Sequence, residues 1–340
     1  MNKWLLFIPL LALSCQLFDD DSITSDSAYF VLCEGGFGSS NSTLWTIDDD
    51  YSTATGPVHW NPNSNPLGDV AQSMTIFENQ LFIVVNNSHT IEIMDITKDG
   101  ATYNRSIAMT DAGPRYLEVY NNKAYVSCWN LLGIAVIDLE SDTFIDTIST
   151  IGKPEDLLLI DNMLYVTVPI AADWSNLNQV LEIDLDNQNE ITRTFSVLDG
   201  PTKFVHYNNA LWITNVYYDQ LWNSWFGTSS IDLSSGDVIT SLYGSSMNYG
   251  NDIIVYNDQV VRTYNNGVSP LNSDLTIDTN NIIDGFKGVY SLGTIEDYLI
   301  LGTTTDYLAP DTVYFIDSDG STISTLTVGA IPGDFAFYTE

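Results

Sequence analysis

The chain has 340 residues, of which 44 are acidic and 10 basic, a formal net charge of −34. Such a surface repels DNA, RNA and anionic membranes, so nucleic-acid binding is excluded and any membrane contact must come from an anchor. With 3 histidines and 3 cysteines there is no Cys/His metal spacing, and neither a Gly-rich phosphate loop nor a nucleophile elbow occurs.

In chain order, MNKWLLFIPLLALS (1–14) is a positive start followed by an apolar run too short to span a bilayer, the pattern of a secretory signal. The run stops at Cys15, preceded by Leu13 and Ser14. This resembles the lipobox of bacterial lipoproteins, although Ala12 stands where that box most often has Leu. The resemblance implies that Cys15 is acylated, which anchors a protein stably when several chains are attached. Residues 15–27 read as an acidic tether. Asp19, Asp20 and Asp21 resemble the signal that sends some Gram-negative lipoproteins to the outer surface. The expected location is therefore the outer membrane, exposed at the cell surface, with the lipid as the only membrane contact. Cys33 and Cys128 are expected as buried free thiols, two blades apart.

From residue 28 to 340 a unit recurs: strand, Asn-Asn or Asp-Asn turn, aliphatic strand, then a strand ending in Asp. FENQLFIVV (77–85), YNNKAYVSC (120–128), IDNMLYVTV (160–168), YNNALWITN (207–215), YNDQVVRTY (256–264) and IEDYLILGT (295–303) carry it at spacings of 39 to 49 residues. Four strands per such period predict an all-β, seven-bladed β-propeller with four antiparallel strands per blade. The C-terminal PGDFAFYTE matches an inner strand with no second strand after it. The N-terminal AYFVLCEGG matches a second strand with no first. Together they are expected to make one blade and close the ring.

Within each blade the turns between first and second and between third and fourth strands are short and acidic. The connections from second to third strand vary and share a face with the entries to the inner strands. VYYDQLWNSWFG (216–227) reads as an aromatic loop there. Expected ligand-binding residues on that face are Gln72, His89, Arg115, Trp129, Trp174, Tyr217, Tyr218, Trp222, Trp225, Phe226 and Tyr307. Aromatic and amide side chains on a rigid scaffold suit recognition; the alternative is that the loops fold down as a local cap. No catalytic residue, metal site or cofactor is expected. His206, His89 and His59 read as structural, with His89 placed where an imidazole could meet a metal in a ligand. Glu155 and Asp156 are adjacent and so should point to opposite faces of a strand. The turn DLDNQNE departs from the order of an EF-hand calcium loop and reads as an ordinary Asp-rich turn.

LYVTV and LWITN, with the steps Gly113-Pro114, Lys153-Pro154 and Gly200-Pro201, resemble the YVTN-repeat (YncE-like) propellers. CEGGFGSSNSTLW, LGDVAQSM, VVNNSHTIEIMD and GPRYLEV resemble a narrower group of bacterial surface lipoproteins related to them, which includes a cobalamin-capturing member. That resemblance implies a protein that binds a small molecule, foremost cobalamin or a related corrinoid as cargo, and passes it to a TonB-dependent outer-membrane transporter. The other functions open to this sequence are a carbohydrate- or protein-binding adhesion module and a lyase-like propeller enzyme acting through His206 or Glu155.

Overall fold

The computed structural model describes residues 27–58, 67–245 and 251–340. The expected signal segment, Cys15, the acidic tether up to residue 26 and His59 lie outside the described residues. Seven antiparallel sheets follow one another along the chain. Their inner strands touch in sequence order, from Ala71–Phe77 and Pro114–Tyr120 round to Val289–Ile295, Pro332–Thr339 and back to the first. The ring closes as expected: Pro332–Thr339 is the inner strand of a blade whose other strands are Ser27–Cys33, Thr43–Ile47 and Ala54–Thr55, with Ala28 opposite Tyr338. Counting this closing blade as the first, the others follow in chain order.

Local chemistry sets the turns. Asn121–Asn122, Asn208–Asn209 and Asn257–Asp258 all have φ between 47 and 59°, the left-handed pair that a two-residue hairpin needs and Asn or Asp tolerates. The Asp that ends many third strands accepts N–H groups from the turn behind it. Asp138 takes Ser141 N at 2.9 Å, Asp232 takes Ser234 N and Ser235 N at 2.9 and 2.8 Å, and Asp317 takes Ser321 N at 2.9 Å. The repeated acidic turns thus satisfy themselves, and Asp184 in DLDNQNE does the same for Asp186 N at 3.0 Å.

The core lies in the seams between blades. Second and third strands send alternate side chains to the two neighbours: Phe30 and Leu32 pack toward the second blade, Tyr29 and Val31 toward the seventh. Both faces are covered, which is why these strands read as unbroken apolar runs. Apolar clusters of this kind fill six seams. At the seam of the fifth and sixth blades the buried side chains include Arg262, only 1 % exposed. Its guanidinium donates to Gly227 O, to Thr228 Oγ1 at 2.7 Å and to Asn251 Oδ1 at 3.1 Å, beneath the rings of Phe226 and Tyr243. Cys33 and Cys128 are buried free thiols, both pushed up to about 12 by burial.

Two expectations need correction. The aromatic stretch is not a loop: strands Ala210–Tyr218 and Ser224–Asp232 run through it, pairing Tyr217 with Trp225 and Tyr218 with Ser224. Only residues 219–223 turn, with the Asp219 carboxylate accepting Leu221 N and Asn223 N at 2.8 and 2.9 Å. In the sixth blade the third strand is Gly267–Pro270 and does not end in Asp as the repeat leads one to expect, because Asn265 and Asn266 already make the turn at φ 48 and 60°. Residues 271–278 then fold into a polar turn, and Ile283 bridges Val268 in place of a fourth strand. Glu155 and Asp156 do turn opposite ways, Glu155 toward Arg115 and Trp129 of the third blade and Asp156 toward Phe204 of the fifth.

Candidate functional site

Inner strands begin with a β-bulge. Pairing slips between Ala71 and Ser73, Pro114 and Leu117, Pro201 and Phe204, and Val289 and Ser291, while Glu155–Asp156 lie in a break between paired segments of the fourth blade. A bulge places an extra residue and re-aims side chains. Consecutive residues here therefore reach the same channel: Arg115 with Tyr116, Thr202 with Lys203, Asn251 with Asp252, Tyr290 with Ser291. They line a cavity of about 750 Å³ at the channel mouth, to which each blade gives a residue of one equivalent position: Gln72, Arg115, Glu155, Thr202, Asn251, Tyr290 and Gly333. A Cβ at Gly333 would collide with the Glu34 carboxyl, so glycine is what admits Glu34 to the cavity.

One wall is a closed charge network. Arg115 meets Glu155 through Nε–Oε2 at 3.0 Å and Nη2–Oε1 at 2.5 Å, and its Nη1 donates to Gln72 Oε1. Trp129 Nε1 donates to Glu155 Oε2 at 2.7 Å, and its ring lies 4.4 Å from the Arg115 guanidinium carbon. Lys153 stands 4.5 Å over the Trp174 ring, which meets Trp129 edge-on at 5.9 Å. The bidentate, stacked geometry is what Arg provides and Lys does not.

The layer below is acidic. Asp156, Asp252 and Asp334 occupy one register in the fourth, sixth and first blades, and each clasps the following blade. Their Oδ2 atoms accept Phe204 N at 2.9 Å, Leu292 N at 2.9 Å and Met74 N at 2.8 Å, while Oδ1 accepts the next residue's own N–H. Burial pushes Asp156 up to about 7 and Asp334 up to about 6, against the pull of Lys203. Burial would lower Lys203, but Tyr116, Asp156, Asp252 and Asp334 outweigh it and hold the ammonium charged. Glu34 is pushed up to about 7 by burial while its Oε1 accepts the Tyr290 hydroxyl at 2.9 Å.

Of the residues expected from sequence, Gln72, Arg115, Tyr218 and Tyr307 line the cavity, and Trp129 backs it through Arg115 and Glu155. Trp174 and Trp222 do not line it; they are 64 and 83 % exposed, Trp174 against Lys153 and Trp129 and Trp222 beside Tyr218. Tyr217 and Trp225 stack on one face of the hairpin, 6.5 Å apart, and Asp219 fixes the Trp225 indole N–H at 3.1 Å. Phe226 is buried against Tyr243 and Tyr264 and anchors the hairpin base. His89 does not line the cavity; its Nδ1 accepts Gly113 N at 3.0 Å and ties the second blade to the third. His206 is exposed and also outside it. The sequence reading missed Glu34, Asn251, Asp252 and Tyr290. For all but Glu34 the signal was the polar pair opening every inner strand: QS, RY, ED, TK, ND, YS, GD.

These features define a seven-bladed propeller with a polar cavity at one channel mouth and aromatic hairpins above it. No protein-family model matches the chain, and no curated protein matches its sequence. Solved structures share the fold. A "putative 6-phosphogluconolactonase" from Bacteroides fragilis is 11 % identical, aligning 94 % of this chain with all of that one at a TM-score of 0.66. A protein from Lactobacillus plantarum is 13 % identical over 92 % of this chain and 99 % of its own, at 0.63. Apo AztD from Citrobacter koseri is 9 % identical over 92 and 98 %, at 0.56. The chain is thus similar to lactonase-type and AztD-type propellers in architecture.

Proposed function

We propose that this propeller is a binding protein and not an enzyme: a lipid-anchored outer-membrane lipoprotein, exposed at the cell surface, that captures a small molecule at the cavity mouth and passes it to a TonB-dependent transporter. The observation that carries the reading is the cavity itself. It has the size of a small-molecule site, each blade contributes to it, and exposed Tyr218 and Tyr307 line it, with Trp222 beside Tyr218 and Trp174 beside Trp129. Capture is favoured over turnover because Glu155 is held by Arg115 and Trp129, and no histidine among the described residues lines the cavity. Cobalamin or a related corrinoid is the leading cargo, by the resemblance of the N-terminal half to the surface-lipoprotein group. Such a ligand would rest its apolar edges on the aromatic rim and insert an amide-bearing arm. The exposed Tyr218 and Trp222, tilted at 6.4 Å, also suit stacking on a sugar, the second reading.

Calorimetric titration of the full chain with cyanocobalamin, beside a Trp174→Ala, Trp222→Ala variant, tests this. Tight binding that the double variant weakens about tenfold or more supports corrinoid capture. No heat with cyanocobalamin, together with quenching of tryptophan fluorescence by sugars, would replace it with carbohydrate adhesion.

A further inference from the structure

Around Lys203 the polar groups fall into two kinds. The carboxylates of Asp156, Asp252 and Asp334 spend both oxygens on backbone N–H groups, and Arg115 is committed to Glu155 and Gln72. Lys203 is different. Its ammonium lies 4.3 Å from the Tyr116 ring centroid, and among the described residues no acceptor stands within hydrogen-bonding distance of it. The Tyr116 hydroxyl likewise has no partner among them, and Glu34 uses only Oε1, leaving Oε2 open. All three side chains line the same cavity. Ammonium and hydroxyl donors left without acceptors in a confined space are costly unless a ligand or water completes them.

We propose that this throat selects an uncharged arm of the ligand, of the carboxamide type, whose oxygen accepts from Lys203 and Tyr116 and whose N–H donates to Glu34; the proposal rests on the cavity being the ligand site. Charge decides against the alternatives. An entering carboxylate would gain one ammonium but meet three aspartates in the same layer and Glu34 at its edge. Burial already holds Asp156 and Asp334 toward their neutral forms, so that layer resists a further negative charge. An entering ammonium would meet Lys203, kept charged by the same aspartates. A neutral dipole satisfies the donors and the acceptor without either repulsion. The overall charge of −34 adds little to this choice, because at physiological ionic strength exposed charges are screened beyond about 8 Å.

The test uses the full chain labelled with ¹³C at lysine Cε, with the Lys203 signal assigned from a Lys203→Met variant. Acetamide and sodium acetate are titrated separately at pH 7 and matched ionic strength. Acetamide is expected to move the Lys203 signal saturably while Lys98, Lys123 and Lys287 stay still, and acetate to need on the order of 10- to 100-fold more. A Tyr116→Phe variant should weaken the acetamide response and leave the preference intact; it also serves if the lysine variant fails to fold, the signal then being assigned by its shift on that substitution. Acetate moving the signal first, or neither probe moving it, overturns the proposal. Binding of cyanocobalamin that leaves Lys203 unmoved removes the throat and keeps the corrinoid reading. An acetamide response without cyanocobalamin binding does the reverse.

Discussion

The two faces of this ring use the same residue types to opposite ends. On the face of the short turns Asp232 is exposed and Asp138 and Asp317 are half-buried; the Ser141 hydroxyl and N–H hold Asp138, and the turn N–H groups of Ser235 and Ser234 hold Asp232, below the usual carboxylate range. Around the cavity, Glu34, Asp156 and Asp334 are pushed above that range by burial, against the pull of Lys203. Acidity on the first face costs nothing because each turn needs the oxygen. In the channel it holds blades together and leaves Lys203 to be completed by a visitor.

The largest expected break in this contrast comes at Arg115. Arg115→Met leaves Glu155 buried without its cation, and unfolding by urea should show a loss of about 3–5 kcal/mol. Adding Glu155→Gln should recover most of it, whereas a loss that persists would mean that the guanidinium acts through packing on Trp129. Next is the blade clasp. Asp156→Ala frees Phe204 N and Leu157 N and should cost about 2 kcal/mol, while Asp138→Ala on the opposite face, where water can replace the lost acceptor, should lower the denaturation midpoint clearly less. Equal losses at the two sites would erase the distinction drawn here.

The faces should also respond oppositely to pH. Turn carboxyls whose folded values are depressed contribute stability above the ordinary value near 4, lost as pH falls through the folded values. Channel carboxyls are raised, Asp334 to about 6, Glu34 and Asp156 to about 7, and Glu118, two residues beyond Tyr116, to about 8 by burial and the nearby Asp156. The folded state then binds more protons than the unfolded one between about pH 4 and 8, so stability declines across that window as pH rises. Denaturant midpoints at a series of pH values should peak near the acid end, and Glu118→Gln should flatten the alkaline side. The smallest effect on folding belongs to Trp222→Ala. Its side chain is 83 % exposed, so the midpoint should stay within error while ligand affinity falls; a stability loss instead would make the hairpin tip a cap.

The propeller was legible because each blade repeats the same turn chemistry: Asn pairs at one hairpin, a terminal Asp at the next, and an orphan strand at each end. The site was less so. Alternation along a strand allows only one residue of each pair to face the channel, but the bulges at Arg115–Tyr116, Thr202–Lys203 and Tyr290–Ser291 bring in both, and no local pattern announces a bulge. Glu34 and Tyr290 lie 256 residues apart in sequence, each an ordinary polar residue in its own context. The aromatic stretch misled for a physical reason. Aromatic side chains stand on both faces of the hairpin, Tyr217 stacked with Trp225 on one and Tyr218 on the other, so the two-residue period disappears although the strands continue.

The closing blade has a consequence for the order of assembly. Ser27–Cys33 is paired on its inner side only by Pro332–Thr339, so three strands of that blade stand with an open edge while some 300 residues are synthesised. The seams of the first blade with the second and seventh, which bury Phe30, Leu32, Tyr29 and Val31, mature last. Long-range pairing of this kind slows folding and leaves a transient sticky edge. A chain exported across a membrane before it folds would meet this moment outside the cytoplasm, where keeping the early strands from pairing with another copy falls to whatever escorts it.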